Sequence, residues 1–239
     1  MKFLIRAIVL DIDGTITHPN RQLSTTAVNA VRKAENSNVS TCLATGNILC
    51  FVQTTATLLG TTGPLIAEDG GIVYDPKTGE EHTLSGIEKV EKGIELLEKK
   101  FENIKRTKSF DIRRAGKTIE RTINPDEIRK VFEENQLDLT VVDSKYALHI
   151  KECGTDKGNA LEKVSSILDL PLSEIAAMGD GKNDVEMLEK VGISFAPANA
   201  DKEAKKVCSH VTKGSDGTGV KEAIDQILKG RNPNNQPSL

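Results

Sequence analysis

Near its N-terminus the chain runs Ala7-Ile8-Val9-Leu10-Asp11-Ile12-Asp13-Gly14-Thr15. Four apolar residues in a row, with adjacent β-branched side chains, fit a strand buried on both faces of a parallel sheet. Two carboxylates at i and i+2 end that strand, and a glycine that permits a sharp turn and then a hydroxyl follow. Desolvated carboxylates need something to stabilise their charge, and a bound cation does so. The carboxyl ends of parallel strands are also where ligands bind in open α/β sheets. Asp and Gly are ordinary turn residues as well, so this stretch alone is compatible with a solvated turn. The rest of the chain decides.

A length of 239 residues allows one large domain, or a core with a smaller insert. Hydrophobic content of 37% and charged content of 28% describe a soluble globular protein. With 3% aromatics and no Trp, the core has to be built from Val, Ile, Leu and Ala. A net charge of -3 gives no general field for nucleic acid or an anionic membrane. The first ten residues are apolar, but Arg6 interrupts them and Asp11 ends them without a small-residue cleavage site. They read as a strand rather than a signal peptide, and no run approaches the ~18 apolar residues of a membrane span. Cys42, Cys50, Cys153 and Cys208 contain no Cys-x-x-Cys pair and no His at zinc spacing. Buried free thiols in a reducing compartment, and hence a cytoplasmic location, are the expectation.

Beyond the opening strand, Ser24 or Thr25 can cap a helix to about residue 35. A strand at 39–44 ends in Thr45-Gly46-Asn47, a helix covers 48–59, and a short strand at 65–67 ends in Glu68-Asp69-Gly70-Gly71. Such strand–helix alternation demands parallel pairing and right-handed crossovers. The rhythm then changes. Residues 72–74 and 81–84 flank a turn and read as a hairpin, 87–101 as an amphipathic helix, and 105–120 as a polar, strand-like stretch. Asn124-Pro125-Asp126-Glu127 opens another helix, and short strands are expected at 138–142 and 146–150. From Thr155 the earlier pattern resumes, with helices at 157–168, 185–191 and 220–228 and strands at 175–178 and 193–196. The tail from Gly230 is expected to be disordered. The fold expected is therefore α/β, a doubly wound Rossmann-like parallel sheet over 1–82 and 154–239, carrying an inserted α+β unit at 83–153.

Polar clusters fall at equivalent places in this scheme: Asp11/Asp13, Thr45-Gly46-Asn47 and Gly179-Asp180-Gly181-Lys182-Asn183-Asp184 follow strands, and Lys157 opens a helix. Asp11, Asp13, Asp180 and Asp184 supply oxygen ligands suited to Mg²⁺. Neither acidic stretch is a calcium loop, because Ile16 and Val185 occupy the positions that need glycine. No Gly-x-x-x-x-Gly-Lys-[Ser/Thr] loop occurs, which argues against an NTPase of that kind. Lys157, the Thr45 hydroxyl and N–H groups at helix starts could receive a phosphate. Asp11 could then attack phosphorus, with Asp13 protonating the leaving oxygen and activating water.

These four clusters, in this order, resemble the motifs of the haloacid dehalogenase superfamily, and the resemblance runs to about Leu228. The insert, lying between the second and third motifs, resembles the α+β cap of the Cof-type phosphatases. With its modest cap and Thr-Gly-Asn in place of the commoner Thr-Gly-Arg, the chain looks most like the archaeal phosphoglycolate phosphatases. The resemblance implies a phosphomonoesterase with Asp11 as nucleophile and Asp13 as acid/base. It implies Asp11, Asp180, Asp184 and the Asp13 carbonyl as Mg²⁺ ligands, and Thr45, Gly46, Asn47, Lys157 and Asn183 on the phosphate side. A small phosphorylated metabolite is the expected partner, 2-phosphoglycolate first, with no nucleic acid and no membrane, in a monomer or homodimer.

Two alternatives stand beside this. One is a sugar-phosphate phosphatase of the Cof or sucrose-phosphate type. The other is a non-enzymatic phosphoacceptor module, since receiver domains also use a strand-end Asp cluster, a Thr and a Lys. Receivers need no cap and no second acidic turn. Glu68-Asp69 reads as a solvated turn, and His18, His82, His149 and His210 take no role. The basic run of Lys105, Arg106, Lys108, Arg113, Arg114, Lys117 and Arg121 reads either as a solvated face or as the source of an arginine that holds a substrate carboxylate. Arg113 and Arg114 are its first candidates.

Overall fold

The opening strand, β1 (Ala7–Asp11), lies inside an eight-stranded sheet. In the computed structural model, which describes residues 4–144 and 146–231, all five of its residues are buried. Its side chains alternate between two cores, as the pleat requires: Ile8 and Leu10 enter one, Ala7 and Val9 the other. That is why the strand reads as a continuous apolar run.

A wide turn (Ile12–Ile16) leads to α1 (Thr25–Asn36), where the Ser24 side chain accepts from the Ala27 N–H. β2 (Ser40–Ala44), α2 (Leu49–Leu59) and β3 (Leu65–Ala67) follow. β4 (Ile72–Tyr74) and β5 (Glu81–Thr83) then extend the sheet edge as an antiparallel meander. Next come α3 (Glu88–Lys100), β6 (Gly116–Ile119), α4 (Pro125–Glu134), β7 (Leu139–Asp143) and β8 (Leu148–Glu152). The chain re-enters the main sheet through α5 (Lys157–Leu168), β9 (Ile175–Met178), α6 (Val185–Lys190), β10 (Ile193–Ala196), α7 (Lys202–Val207), β11 (His210–Val211) and α8 (Asp216–Gly230).

The main sheet has the order β11-β10-β9-β1-β2-β3-β4-β5, with parallel pairing throughout except at β4 and β5. Helices α1, α2 and α8 pack on one face, and α5, α6 and α7 on the other. This is the expected doubly wound α/β architecture. β6, β8 and β7 form a separate antiparallel sheet whose apolar face, with Leu148, Ile150 and Val141, packs against α3 and α4. On the opposite face of that sheet, Thr118 and His149 are cross-strand partners.

Several local expectations are corrected. Most of 105–120 is not strand: Lys117 Nζ donates to the Phe110 and Arg113 carbonyls, which draws 110–113 into a turn and leaves only Gly116–Ile119 extended. β8 begins at Leu148 rather than Tyr146, because the Ser144 N–H bonds the Ala147 carbonyl and closes a turn there. α8 begins before Val220, since packing on α1 overrides the low propensity of Gly217 and Gly219. The short α7 and β11 carry no pattern long enough to have been expected. Of the four free cysteines, Cys42 is buried, Cys208 is half-buried, and Cys50 and Cys153 are exposed. The expectation for the tail falls on residues 232–239, outside the described residues. No helix is long and apolar enough to cross a membrane, among the described residues.

The turn after β3 abuts the start of α5. Gly70 there has φ +100°, and a Cβ on it would lie 2.1 Å from the Asp156 carbonyl oxygen. Gly70→Ala should therefore cost more than ~2 kcal/mol, from backbone strain and overpacking together. Gly79→Ala, with φ +77° but open space around it, should cost only about 1 kcal/mol. Urea midpoints of the two variants check the difference.

Candidate active site

Sheet register assembles the site. Asp11 pairs with Ala44 across β1–β2, and Leu10 with Met178 across β1–β9. Thr45 and Gly179-Asp180, which leave β2 and β9, are therefore level with the Asp11 side chain. A tight turn (Lys182–Asp184) then brings Asp184 back, its Oδ2 accepting from the Gly181 N–H at 2.9 Å. The Thr15 hydroxyl donates to Asp180 Oδ1 at 3.2 Å.

Lys157 closes the group. It is the first residue of α5, whose start is capped by Asp156 accepting from the Asn159 N–H at 2.7 Å. α5 lies so close to α6 that a Cβ on Gly158 would sit 2.5 Å from the Glu186 carbonyl, and this approach carries Lys157 inward. The Lys157 Nζ donates to Asp11 Oδ1 at 2.5 Å and to Asp184 Oδ1 at 2.6 Å, with the side chain fully buried. Burial opposes its charge, but the two carboxylates outweigh burial and hold the lysine pKa above its ordinary value. For Asp11, burial and then the Asp184 charge push the carboxyl well above its ordinary range, and Lys157 pulls it only part of the way back.

Asp11, Asp180 and Asp184 offer oxygens that all lie within 4.8 Å of one another. Two of these carboxylates, Asp11 and Asp184, share the Lys157 ammonium, and Asp180 stands half-buried beside them. An all-oxygen donor set of this charge fits a hard divalent cation such as Mg²⁺.

The Asp13 carboxylate lies outside that trio. Its Oδ1 accepts from Arg21 Nε at 2.9 Å and its Oδ2 from Asn47 Nδ2 at 2.8 Å. Asn47 also donates to Thr45 Oγ1, from its backbone N–H at 3.1 Å and its Nδ2 at 3.0 Å. Both contacts orient the Thr45 hydroxyl so that its own hydrogen can point away from them. Gly46 and Asn183 line the same cavity, of about 290 Å³, with Asp11, Asp13, Thr45 and Asp180. Thr107, Ser109, Thr118, Ser144, Tyr146 and His149 of the smaller unit form its other wall.

A family model for haloacid dehalogenase-like hydrolases matches residues 8–105 and 85–224. The chain belongs to that family. Among curated relatives of this haloacid dehalogenase-like hydrolase, the phosphoglycolate phosphatase of Methanosarcina acetivorans is 40% identical, over 94% of this chain and 96% of that one. The phosphoglycolate phosphatase of Methanococcoides burtonii is 36% identical, over 94% of this chain and 97% of its own. A crystal structure from Thermoplasma acidophilum superposes with a TM-score of 0.85 at 28% identity, covering 94% of this chain and 98% of that one. A haloacid dehalogenase-like hydrolase from Bacteroides thetaiotaomicron shares the fold, with a TM-score of 0.77 at 21% identity, over 93% of this chain and 99% of that one.

One expectation about this hydrolase is overturned. Glu68 and Asp69 are not a solvated turn; they are 3% and 4% exposed. The Glu68 carboxylate accepts from the backbone N–H groups of Arg114 and Ala115, at 3.0 and 2.9 Å, and so ties the smaller unit to the end of β3. Asp69 Oδ2 meets His149 Nδ1 at 2.5 Å and lies 3.9 Å from Arg113 Nη2, which itself donates to the Gly46 carbonyl at 2.8 Å. Arg113 thus lines the cavity, whereas Arg114 turns away to pair with Glu81. Sequence reading left Arg21 and His149 without a role. Their partners lie in distant or non-periodic segments, and the only signal for Arg21 was its nearness to the first motif. His18 and His210 also find partners, Asp216 and the Phe195 ring.

Burial opposes ionisation of Asp69, yet His149, Lys151 and Arg113 together hold its carboxyl well below the usual range. A carboxyl depressed in the folded state stabilises the fold above its unfolded pKa, near 4, and that contribution is lost as pH falls through the folded value. Asp69→Asn should cost about 2 kcal/mol at pH 7, and the gap from wild type should shrink steadily below about pH 4. Chemical denaturation of both proteins across that range checks it.

Proposed function

We propose that this hydrolase is a cytoplasmic, Mg²⁺-dependent phosphomonoesterase that converts 2-phosphoglycolate to glycolate and phosphate through an aspartyl-phosphate on Asp11. The observation that carries this reading is the contact of the buried Lys157 ammonium with both Asp11 and Asp184, at 2.5 and 2.6 Å. A nucleophilic carboxylate has to be ionised and has to meet an anionic phosphate, so fixed positive charge beside it is required.

In this reading Asp11 attacks phosphorus, and the bond to the leaving oxygen breaks as the Asp11–phosphorus bond forms. Asp13 supplies the leaving oxygen's proton and later takes one from the water that hydrolyses the acyl phosphate. The Thr45 hydroxyl, the Gly46 N–H, Asn183 and Lys157 receive phosphoryl oxygens, while Asn47 keeps Asp13 and Thr45 in register. Mg²⁺, held by Asp11, Asp180, Asp184 and the Asp13 main-chain carbonyl, would neutralise charge on the phosphoryl group. Residues 83–153 act as a cap over a core of 1–82 and 154–239, and exclude water from the cavity. Relatives that match 94% of the chain and are named phosphoglycolate phosphatases support the substrate, as does a cavity of about 290 Å³, the scale of a small metabolite. The partner is that metabolite alone, with neither nucleic acid nor membrane, and the enzyme works as a monomer or homodimer.

Activity should vanish in EDTA and return with Mg²⁺; full turnover by metal-free protein would end this reading. Asp11→Asn should abolish turnover and any trapped covalent phosphate. Asp13→Asn should lose ~10²–10⁴-fold on phosphoglycolate but far less on p-nitrophenyl phosphate, whose leaving group needs no proton. Equal losses on both substrates would remove Asp13 as the acid.

A further inference from the structure

We propose that Arg21 binds the substrate's second anionic group and so selects phosphoesters that carry a carboxylate next to the leaving oxygen. This rests on the preceding reading of Asp13 as the group that faces the leaving oxygen.

Arg21 lies in the short turn closed by the antiparallel bridge between Thr17 and Leu23. Its Nε stands 2.9 Å from Asp13 Oδ1, and its Nη2 3.5 Å from Asp13 Oδ2. The guanidinium carbon is 5.9 Å from the Phe51 ring centre, in α2, and 5.4 Å from that of Tyr146, in the smaller unit. The guanidinium therefore sits where the two units meet, and both Arg21 and Tyr146 line the cavity. Aromatic faces on two elements hold the cation in place without consuming its N–H donors. The ion pair with Asp13 is itself half-exposed, with side chains 44% and 20% accessible, and pairs of that kind contribute little to stability. Holding the turn together does not account for the arrangement.

Chemistry at Asp13 gives the distance scale. A leaving oxygen that takes a proton from Asp13 must come within about 2.6–3.2 Å of its carboxylate. In the phosphoester of an α-hydroxy acid, the carboxyl carbon is two bonds from that oxygen. A guanidinium that already touches Asp13 is then within one contact of the substrate carboxylate, and its planar fork matches that group. The substrate carboxylate would compete with Asp13 for Arg21, so that binding the correct substrate also turns the Asp13 side chain loose toward the leaving group.

Other cations fit the role less well. Arg106, Arg114 and Arg121 pair with Glu98, Glu81 and Asp143 and do not line the cavity. Arg113 does line it, but it is 5% exposed and donates to the Gly46 carbonyl, which fixes the phosphate-binding turn rather than reaching past Asp13. Lys182 lines it too, as a point charge on the turn that carries Asp184.

The test compares 2-phosphoglycolate with ethyl phosphate as substrates, and 3-phosphonopropionate with propylphosphonate as non-hydrolysable ligands read by calorimetry. Each pair differs only in the carboxylate. Wild type should favour the carboxylated member of both pairs. Arg21→Gln should cut each preference about tenfold or more, the loss of one charge-assisted hydrogen bond, with the kinetic loss falling on KM for phosphoglycolate. Arg21→Lys, which keeps the charge at the turn should the glutamine variant fold poorly, should recover part of it. Preferences unchanged in Arg21→Gln, or equal losses for both members of a pair, overturn the proposal. So does erasure of the preference by Arg113→Gln or Lys182→Gln with Arg21→Gln silent. A wild type that shows no preference for the carboxylate fails the phosphoglycolate reading itself, and that result is visible without any variant.

Discussion

A fully buried ammonium group dictates the arrangement of everything near it. Lys157 is fully buried, and its contacts with Asp11 and Asp184 keep its charge tolerable there. For that triad to form, α5 has to begin at the carboxyl edge of the sheet, and β1 has to end level with β9. α6 has to lie close enough to α5 that Gly158 carries no side chain. A shift of one residue in the β1–β9 register would turn Asp11 to the other face and leave the lysine unpaired. The requirement of the charge and the topology of the fold are the same constraint.

The second layer follows from alternation in the small sheet. β8 places Leu148 and Ile150 in the apolar core against α3 and α4, so His149 must point the other way. That direction is toward Asp69 and the cavity. Packing the small unit's own core therefore turns His149 toward Asp69 and the cavity, and no separate device is needed to orient it.

How much of this is legible in the sequence depends on the range of the interaction. Strands whose residues are buried on both faces announce themselves as apolar runs, and β1, β2 and β9 carry the site residues at their ends; the fold class and the grouping of Asp11, Thr45, Lys157, Asp180 and Asp184 follow from that. Asp13, Asn47 and Asn183, read from the turns after the same strands, line one cavity with Asp11, Thr45 and Asp180. What escapes is pairing between segments with no shared periodicity. Nothing in the letters around Glu68-Asp69 distinguishes a wet turn from two carboxylates buried against Arg114, Ala115 and His149. Basic residues at 105–121 look alike in sequence, yet one lies buried against the Gly46 carbonyl while others pair outside the cavity. Only the folded chain sorts them.

The burial of Glu68 has a consequence for how such enzymes diversify. Its carboxylate is received by backbone N–H groups of Arg114 and Ala115, so the contact reads the path of the main chain and is indifferent to which side chains stand there. Side chains on the cavity wall are then free to vary under selection for new substrates while the cap stays seated. Exchange of the whole insert between relatives is different, because an incoming cap must present two amides at the same place or leave a carboxylate stranded in the seam. A lineage built on this joint can retune its specificity by point changes far more readily than by swapping modules.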